Sequence, residues 1–238
     1  MSGVLFCEML IEHTAAQKDQ DHLNFLLSSR ADTPDRTDFI LNNSDSDPAP
    51  VMINEVQKLT SAGADIIVIP CNTAHYFYER ISSETDTPII NIIRQTVDYC
   101  KERGFSKVGV LSTEGTAASG AYRTVFESAG IEYDVCTKEE QKIISDVIYN
   151  YIKKGVLPPK HIFESVSSAM FSRGCNAIVL GCTELSILKR SYALGSEYID
   201  SLEVLALSAI RICGKTAKGF DSELMKFHPE RKFTYVTK

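Results

Sequence analysis

Short apolar runs alternate with amphipathic segments along most of this chain. The runs are typical of strands buried on both faces, and they predict strands at about 23–28, 65–70, 88–92, 107–112, 131–135, 176–181 and, more weakly, 197–200. Helical periodicity predicts helices near 4–16, 49–62, 74–83, 93–103, 118–129, 138–154, 159–173 and 202–218. Because strand and helix alternate, we expect an α/β fold with parallel strands joined by right-handed crossovers.

Two segments of the chain repeat one pattern. Gly63 and Gly174 each begin a short apolar run, and a cysteine follows eight positions later, at Cys71 and Cys182. A threonine lies within two positions of each cysteine. The repeat predicts two similar parallel-sheet halves related by a pseudo-twofold axis. The active site is then expected in the cleft between them, at the carboxyl ends of the strands.

The repeat also suggests a division into domains. We assign the first half to residues 1–98 and the second to 99–205, and we expect the C-terminal helix and tail, 206–238, to join the first half. The second half opens with a strand and a polar loop at 114–120, for which the first half has no counterpart. We therefore expect the first half to lack its N-terminal strand.

Composition excludes several classes of partner. The 238-residue chain has a formal net charge of −6, which argues against nucleic acid and anionic membrane surfaces as partners. No apolar run approaches the length of a membrane span, and the N-terminus does not resemble a leader peptide. The seven cysteines are an odd number, which favours free thiols over a disulfide framework. We expect a cytoplasmic protein.

The two repeated cysteines suggest proton transfer at carbon. Each lies between the end of a strand and the expected start of a helix, where backbone N–H groups and the helix dipole favour a thiolate. Two thiols that face each other across a cleft could remove a proton from one side of a carbon and return one to the other, without a cofactor. Asn72, Thr73 and Thr183 could bind a substrate carboxylate and stabilise the charge that develops on it.

Other interpretations of these cysteines stay open. A single cysteine at the end of a strand is usually a small core residue, although two at matched positions favour the functional interpretation. Cys71 and His75 could form a nucleophile pair. These two residues and Cys182 could also bind zinc, but the closely paired spacing of structural zinc ligands is missing. We predict no metal.

The chain resembles a known family at its two cysteine motifs, Pro-Cys-Asn-Thr-Ala-His at 70–75 and Gly-Cys-Thr-Glu at 181–184. These are similar to the aspartate/glutamate/hydantoin racemase superfamily, and most similar to its aspartate racemase branch. The resemblance extends from about residue 4 to 214, with further matches at 18–22, 34–37, 113–116 and 119–120. Glutamate racemases usually carry a histidine where this chain has Glu184, which favours the aspartate branch.

The resemblance implies a racemase independent of pyridoxal phosphate that interconverts L- and D-aspartate. It implies that Cys71 and Cys182 are the acid/base pair and that Arg36 and Lys153 bind the side-chain carboxylate, although each of these two would otherwise be read as a surface residue. It implies that the other substrate-binding residues are Asn72, Thr73, Ala74, Thr116, Thr183 and Glu184.

The resemblance does not determine which substrate the protein uses or whether this chain is catalytically active. Glutamate, a hydantoin or maleate are alternative substrates, and a catalytically impaired binder of dicarboxylates is an alternative function. The expected partner is a small acidic amino acid, and a homodimer is common in the family. Family members begin with a strand and a Gly-Gly-Met-Gly/Ser-Pro loop, and since neither has a counterpart here, we expect a truncated or wrongly started reading frame.

Overall fold

The protein contains two parallel β-sheets, and the structure, a computed structural model, describes residues 2–219. The smaller sheet pairs β1 (Ile67–Val68) with β2 (Ile89–Ile90). The larger sheet has the order β4-β3-β5-β6 and consists of β3 (Lys107–Leu111), β4 (Glu132–Val135), β5 (Ala177–Leu180) and β6 (Tyr198–Asp200). All pairings between these strands are parallel, which confirms the predicted α/β class.

Helices connect the strands. They are α1 (Ser2–His13), α2 (Arg36–Ile40), α3 (Ala49–Ser61), α4 (Tyr78–Ser82), α5 (Ile92–Glu102), α6 (Glu114–Ser119), α7 (Ala121–Ala129), α8 (Lys138–Asp146), α9 (Lys160–Ser172), α10 (Leu185–Tyr192) and α11 (Ser201–Ile212). Shorter turns of 3₁₀ helix occupy Asp19–Asp21, Thr73–Phe77 and Ile152–Lys154, and a π-helix occupies Val147–Tyr151. Many helices begin at a side chain that accepts hydrogen bonds from the first turn, as at Asp35, Asn91, Thr113, Thr137 and Asp200.

Two hydrophobic clusters stabilise the fold. The smaller cluster lies around β1 and β2 and consists of Ala49, Val56, Ile67, Phe77, Ile81 and Ile89. The larger cluster surrounds the four-stranded sheet and includes apolar side chains of α1, α5 and α11. Each large side chain buried in these clusters contributes about 1.5–3 kcal/mol relative to leaving it exposed. Because α1 shares its core with the larger sheet, the domain boundaries at 98 and 205 stay predictions.

The predicted strand at 23–28 is wrong. This segment has no regular secondary structure, and the side chains of Phe25, Leu26 and Leu27 are 43%, 62% and 49% exposed. Among residues 2–219, β1 pairs only with β2, so no described strand lies beside 23–28. A strand needs a neighbour to satisfy its N–H and C=O groups, and an apolar run cannot supply one by itself.

Several helices also differ from the prediction. The polar loop expected at 114–120 is largely helix α6, which ends where Gly120 adopts a left-handed conformation with φ of 66°. The helix predicted over 138–154 changes from α to π to 3₁₀ geometry along its length. Helices α2 and α10 were not predicted, and the tail beyond residue 219 lies outside the described part of the chain. None of the helices within residues 2–219 has both the length and the apolar character required to cross a bilayer.

Candidate active site

The two repeated cysteines lie in one cavity. Cys71 follows β1, Cys182 follows β5, and both line a cavity of about 500 Å³. Most of the other predicted site residues line the same cavity: Arg36, Asn72, Thr73, Ala74, Lys153, Thr183 and Glu184. The structure thus brings together residues that are more than 100 positions apart, although their roles stay predictions.

Cys182 is held as a buried, neutral thiol. It is 5% exposed, and its Sγ donates to Oε2 of Glu184 at 3.0 Å. Burial raises the pKa of Cys182 well above its usual value, and the charge of Glu184 raises it further. The backbone N–H of Glu184 acts to lower the pKa of Cys182, in the direction expected from the sequence, but desolvation and the neighbouring carboxylate outweigh it.

A glycine allows β5 to deliver Cys182 to the cavity. A Cβ atom at Gly181 would lie 3.2 Å from the ring of Tyr122 and from Val110, and 3.3 Å from the carbonyl oxygen of Leu111. These distances are tighter than ordinary van der Waals contact, and the carbonyl belongs to a buried strand. A larger residue at Gly181 would therefore need Tyr122 or β3 to shift by a few tenths of an ångström.

Asn72 connects the loop of Cys71 to the larger sheet. Its Nδ2 donates to Oγ of Ser201 at 2.9 Å, and its Oδ1 accepts from the hydroxyl of Tyr122 at 2.8 Å. Ser201 in turn donates to the carbonyl of Leu180 at the end of β5. Both ends of the Asn72 amide therefore bond to protein groups, and its side chain links the two cysteine loops. Neither Tyr122 nor Ser201 was singled out from the sequence.

Three threonine hydroxyls form a triangle at the wall of the cavity. Oγ1 of Thr73 lies 2.8 Å from that of Thr116 and 3.0 Å from that of Thr113, and the last two are 3.0 Å apart. Thr73 and Thr113 line the cavity, whereas Thr116 is buried behind them and does not. The structure thus places Thr116 where it supports Thr73 rather than where it faces the cavity.

Arg36 lies beside Cys71, in the first turn of α2. Its Nη1 donates to the carbonyl of Pro34 at 3.2 Å. Burial acts to lower the pKa of Arg36, but its interactions with Cys71, Asp35 and Glu184 outweigh burial, and the pKa lies above its usual value. The guanidinium therefore stays charged, and it can bind an anionic group beside the thiol of Cys71.

Lys153 lies farther out, beside Tyr149. Its Nζ is 3.9 Å from Oδ2 of Asp35 and 4.1 Å from the centre of the Tyr149 ring, a cation–π contact. Tyr149 also lines the cavity, donates to Oγ1 of Thr37 at 3.1 Å and was missed by the sequence analysis. Burial raises the pKa of Tyr149 to about 12, so its hydroxyl is neutral and can donate.

His75 bonds to backbone groups rather than to a thiol. Its Nδ1 is 2.9 Å from the carbonyl oxygen of Cys71, and its Nε2 is 3.3 Å from the backbone nitrogen of Ile92. This geometry does not support a Cys71–His75 nucleophile pair. Within residues 2–219 no cluster of three or more His, Cys, Asp or Glu side chains is arranged to hold a metal ion.

Known proteins with a similar fold and sequence are racemases. The structure of Picrophilus torridus aspartate racemase is similar with a TM-score of 0.78 and 30% identity, covering 94% of this chain and 93% of that chain. A broad-specificity amino-acid racemase of Bacillus subtilis is 26% identical over 211 residues, which are 86% of this chain and 87% of the relative.

Glutamate racemases are similar over a shorter region. The enzyme of Aquifex pyrophilus is 32% identical over 168 residues, and the match spans only 59% of its length. The model of the family described as Asp/Glu/Hydantoin racemase, by contrast, matches residues 1–209. Because this model matches nearly all of the described residues, the chain belongs to the Asp/Glu/hydantoin racemase family.

Proposed function

We propose that this protein is a cofactor-independent amino-acid racemase that interconverts L- and D-aspartate by proton transfer between two cysteines. The observation that carries the proposal is the convergence of Cys71 and Cys182 on one cavity, with Arg36 beside the first thiol. The similarity to the Picrophilus torridus aspartate racemase and the presence of Glu184 support aspartate over glutamate.

Each thiol carries out one of the two proton transfers of the reaction. For one enantiomer, the thiolate of Cys71 removes the Cα proton and becomes a thiol, and the electron pair remains on the substrate. The thiol of Cys182 then donates its proton to the opposite face of Cα and becomes a thiolate. The raised pKa of Cys182 supports its role as the proton donor. For the other enantiomer the two roles are exchanged.

The substrate carboxylate must stabilise the carbanion. Deprotonation at Cα places negative charge on the adjacent carboxylate, and donors already aimed at that charge lower the barrier. Thr73 and Thr183 line the cavity, and to bind the carboxylate the hydroxyl of Thr183 would exchange its bond to Oγ of Ser2, which is 2.9 Å away. Since the triangle with Thr113 and Thr116 fixes the hydroxyl of Thr73, little reorganisation is needed when the charge develops.

Racemisation in deuterated water tests this mechanism. Wild-type protein incubated with L-aspartate should give D-aspartate labelled at Cα, while recovered L-aspartate stays unlabelled early in the reaction. Cys71→Ala and Cys182→Ala should each reduce racemisation by at least about 100-fold, as expected for loss of an acid/base group. Wild-type protein no more active than the double variant, over a panel of aspartate, glutamate, a hydantoin and maleate, would contradict the proposal. A melting temperature raised by aspartate without exchange would identify a binder instead.

We propose that Arg36 binds the side-chain carboxylate of the substrate and so selects acidic amino acids. Arg36→Ala should lower kcat/KM for aspartate by about 10- to 100-fold, the range expected for a hydrogen bond to a charged group. Alanine, which lacks the side-chain carboxylate, should be affected much less. Arg36→Lys serves as the control, because it keeps the charge but loses the planar fork. An equal loss for both amino acids would show that Arg36 does not read the side chain.

Two further statements about the protein stay predictions from its sequence. They are location in the cytoplasm and assembly as a homodimer. Size-exclusion chromatography with light scattering measures the second directly.

A further inference from the structure

His75 is a buried histidine that the proton-transfer mechanism does not use. It is 6% exposed, and its ring stacks on that of Tyr78 with centroids 5.9 Å apart and an angle of 12° between the planes. Both ring nitrogens bond to backbone groups, of Cys71 and of Ile92. Because both nitrogens of this buried side chain form hydrogen bonds, the surrounding structure fixes the orientation of the ring.

The partners of the ring define its tautomer. A backbone nitrogen can only donate, so the N–H of Ile92 donates to Nε2 of His75, which carries no proton. A carbonyl oxygen can only accept, so Nδ1 carries the proton and donates to Cys71. A doubly protonated imidazolium would lose the bond to Ile92. Burial lowers the pKa of His75 and outweighs the opposing effects of the nearby Cys71 and Ile90 backbone, so the ring is neutral at pH 7.

These two bonds connect the exits of both strands of the smaller sheet. Cys71 lies three residues beyond Val68, the last paired residue of β1, and Ile92, the first residue of α5, lies two residues beyond Ile90, the last residue of β2. Each strand has only two paired residues, so the ladder by itself gives little support to the loop that carries the thiol. The imidazole thus forms a bridge from that loop to the first turn of α5, beyond the end of the ladder.

We propose that His75, as the neutral Nδ1–H tautomer, is a positioning residue that fixes the backbone of Cys71 so that its thiol meets Cα of the substrate. This inference rests on the proposed racemase function. The imidazole does not touch the thiol, so it transfers no proton in the reaction. Displacement of a reacting group by about 1 Å can cost about 100-fold in rate, which makes a rigid backbone at Cys71 valuable.

Two substitutions separate the bonds of the ring. His75→Asn keeps an amide N–H near the position of Nδ1 and loses the acceptor for Ile92. His75→Gln keeps a carbonyl near the position of Nε2 and loses the donor to Cys71. Tyr78→Phe is the matched control, because it removes a hydrogen bond of 3.0 Å to the carbonyl of Ile89 in the same sheet and leaves Cys71 untouched.

The expected results separate positioning from stability. His75→Gln and His75→Asn should each lower kcat by about 10- to 100-fold with KM changed less than about threefold, because each variant breaks one end of the bridge. Tyr78→Phe should lower the melting temperature and leave kcat within about threefold of wild type. If kcat falls in all three variants only in proportion to their melting temperatures, His75 is merely structural and the proposal is overturned.

Two measurements distinguish failure of this inference from failure of the proposed function. The ratio of Cys71 to Cys182 alkylation by iodoacetamide, measured by mass spectrometry, needs no racemase activity. It should change at least about threefold in His75→Gln and stay constant in Tyr78→Phe. In the wild-type protein, ¹⁵N shifts of His75 should show a protonated Nδ1 and an unprotonated Nε2 at pH 7. The opposite tautomer, or an unchanged alkylation ratio, would overturn the inference even in an active racemase.

Discussion

The two thiols of the cavity experience opposite electrostatic surroundings. Cys182 is buried against the carboxylate of Glu184, which favours the neutral thiol. Cys71 lies beside the guanidinium of Arg36, and the interaction with this cysteine is one of the reasons for the raised pKa of that arginine. A pair of titratable groups in contrasting surroundings is how one site holds an acid and a base at the same pH. Under the proposed mechanism, Cys182 is the thiol that donates a proton first.

Replacing Glu184 tests this division. Glu184→Gln removes the charge that helps to raise the pKa of Cys182 and leaves burial in place. The pH at which half of Cys182 reacts with iodoacetamide should therefore move lower. Mass spectrometry of the Cys182 peptide measures it, with Glu114→Gln, an exposed carboxylate, as the control. An unchanged midpoint would mean that burial alone holds this thiol neutral.

At the residue scale, sequence reasoning identified which residues meet but not which way each side chain faces. The repeat located Cys71 and Cys182, which line the cavity. Asn72 and Thr116 also belong to the site, yet they face its supporting structure, because burial and partner choice depend on chain segments far away in the sequence. Tyr149 reaches Thr37 across 112 positions from within a π-helix, and no local pattern signals that contact.

At the scale of elements, an apolar run forms a strand only where another strand lies beside it and pairs with it. The runs at 107–112 and 176–181 became β3 and β5, because each pairs with strands of the larger sheet. The run at 23–28 has a similar pattern but no described strand beside it. The opposite error occurs at 114–120, where small and polar residues predicted a loop but form α6. That helix is stabilised by its Thr113 cap and by packing against α2.

The contact between α6 and α2 depends on Gly115. A Cβ atom there would lie 2.8 Å from Cα and 2.9 Å from Oγ1 of Thr37, so α2 would have to move. Gly115→Ala should reduce the free energy of unfolding by about 1–3 kcal/mol, as overpacking does, and should raise KM because Arg36 lies next to Thr37. Urea unfolding and steady-state kinetics measure the two effects.

A control for Gly115→Ala is available in the same helix. Ala118 is exposed, so Ala118→Gly weakens α6 by about 1 kcal/mol through helix propensity without changing its contact with α2. Its KM should equal that of wild type. If both variants raise KM equally, the substrate site responds to the stability of α6 and not to the position of α2.

At the scale of the whole molecule, a buried network of titratable side chains joins α10, β6 and α11 on the Cys182 side of the cavity. Nζ of Lys189 lies 2.7 Å from Oε2 of Glu203, and the hydroxyl of Ser186 donates to Asp200 at 2.7 Å. All four side chains are buried. Asp200 also caps α11, the helix that supplies Ser201 to the Asn72 link. The cation of Lys189 thus permits two carboxyl groups to lie inside the core that supports both cysteine loops.

Removing Lys189 should destabilise the protein in a pH-dependent way. Burial raises the pKa of Glu203 from about 4.5 to about 8, although Lys189 opposes this, and burial also raises the pKa of Asp200. A carboxyl group whose pKa is higher in the folded state than in the unfolded state stabilises the fold. This stabilisation is complete at pH values below the pKa of the unfolded state. That contribution is lost as the pH rises through its folded value. Lys189→Met should therefore cost about 3–5 kcal/mol at pH 8, the range for one partner of a buried ion pair, and clearly less at pH 5.

Urea unfolding at pH 5, 6.5 and 8 measures this dependence on Lys189, and a double variant isolates the charge. Lys189→Met combined with Glu203→Leu removes both partners and should recover most of the loss at pH 8, because an apolar pair of similar volume is often as stable as a buried ion pair. A deficit for Lys189→Met that is equal at all three pH values would mean that lost packing, and not the buried carboxyl groups, causes the destabilisation. Two results together would support the role of the Lys189 cation: the double variant recovers its stability, and the destabilisation by Lys189→Met grows with pH. They would show that this cation stabilises the buried carboxyl groups of Asp200 and Glu203 on the Cys182 side of the cavity.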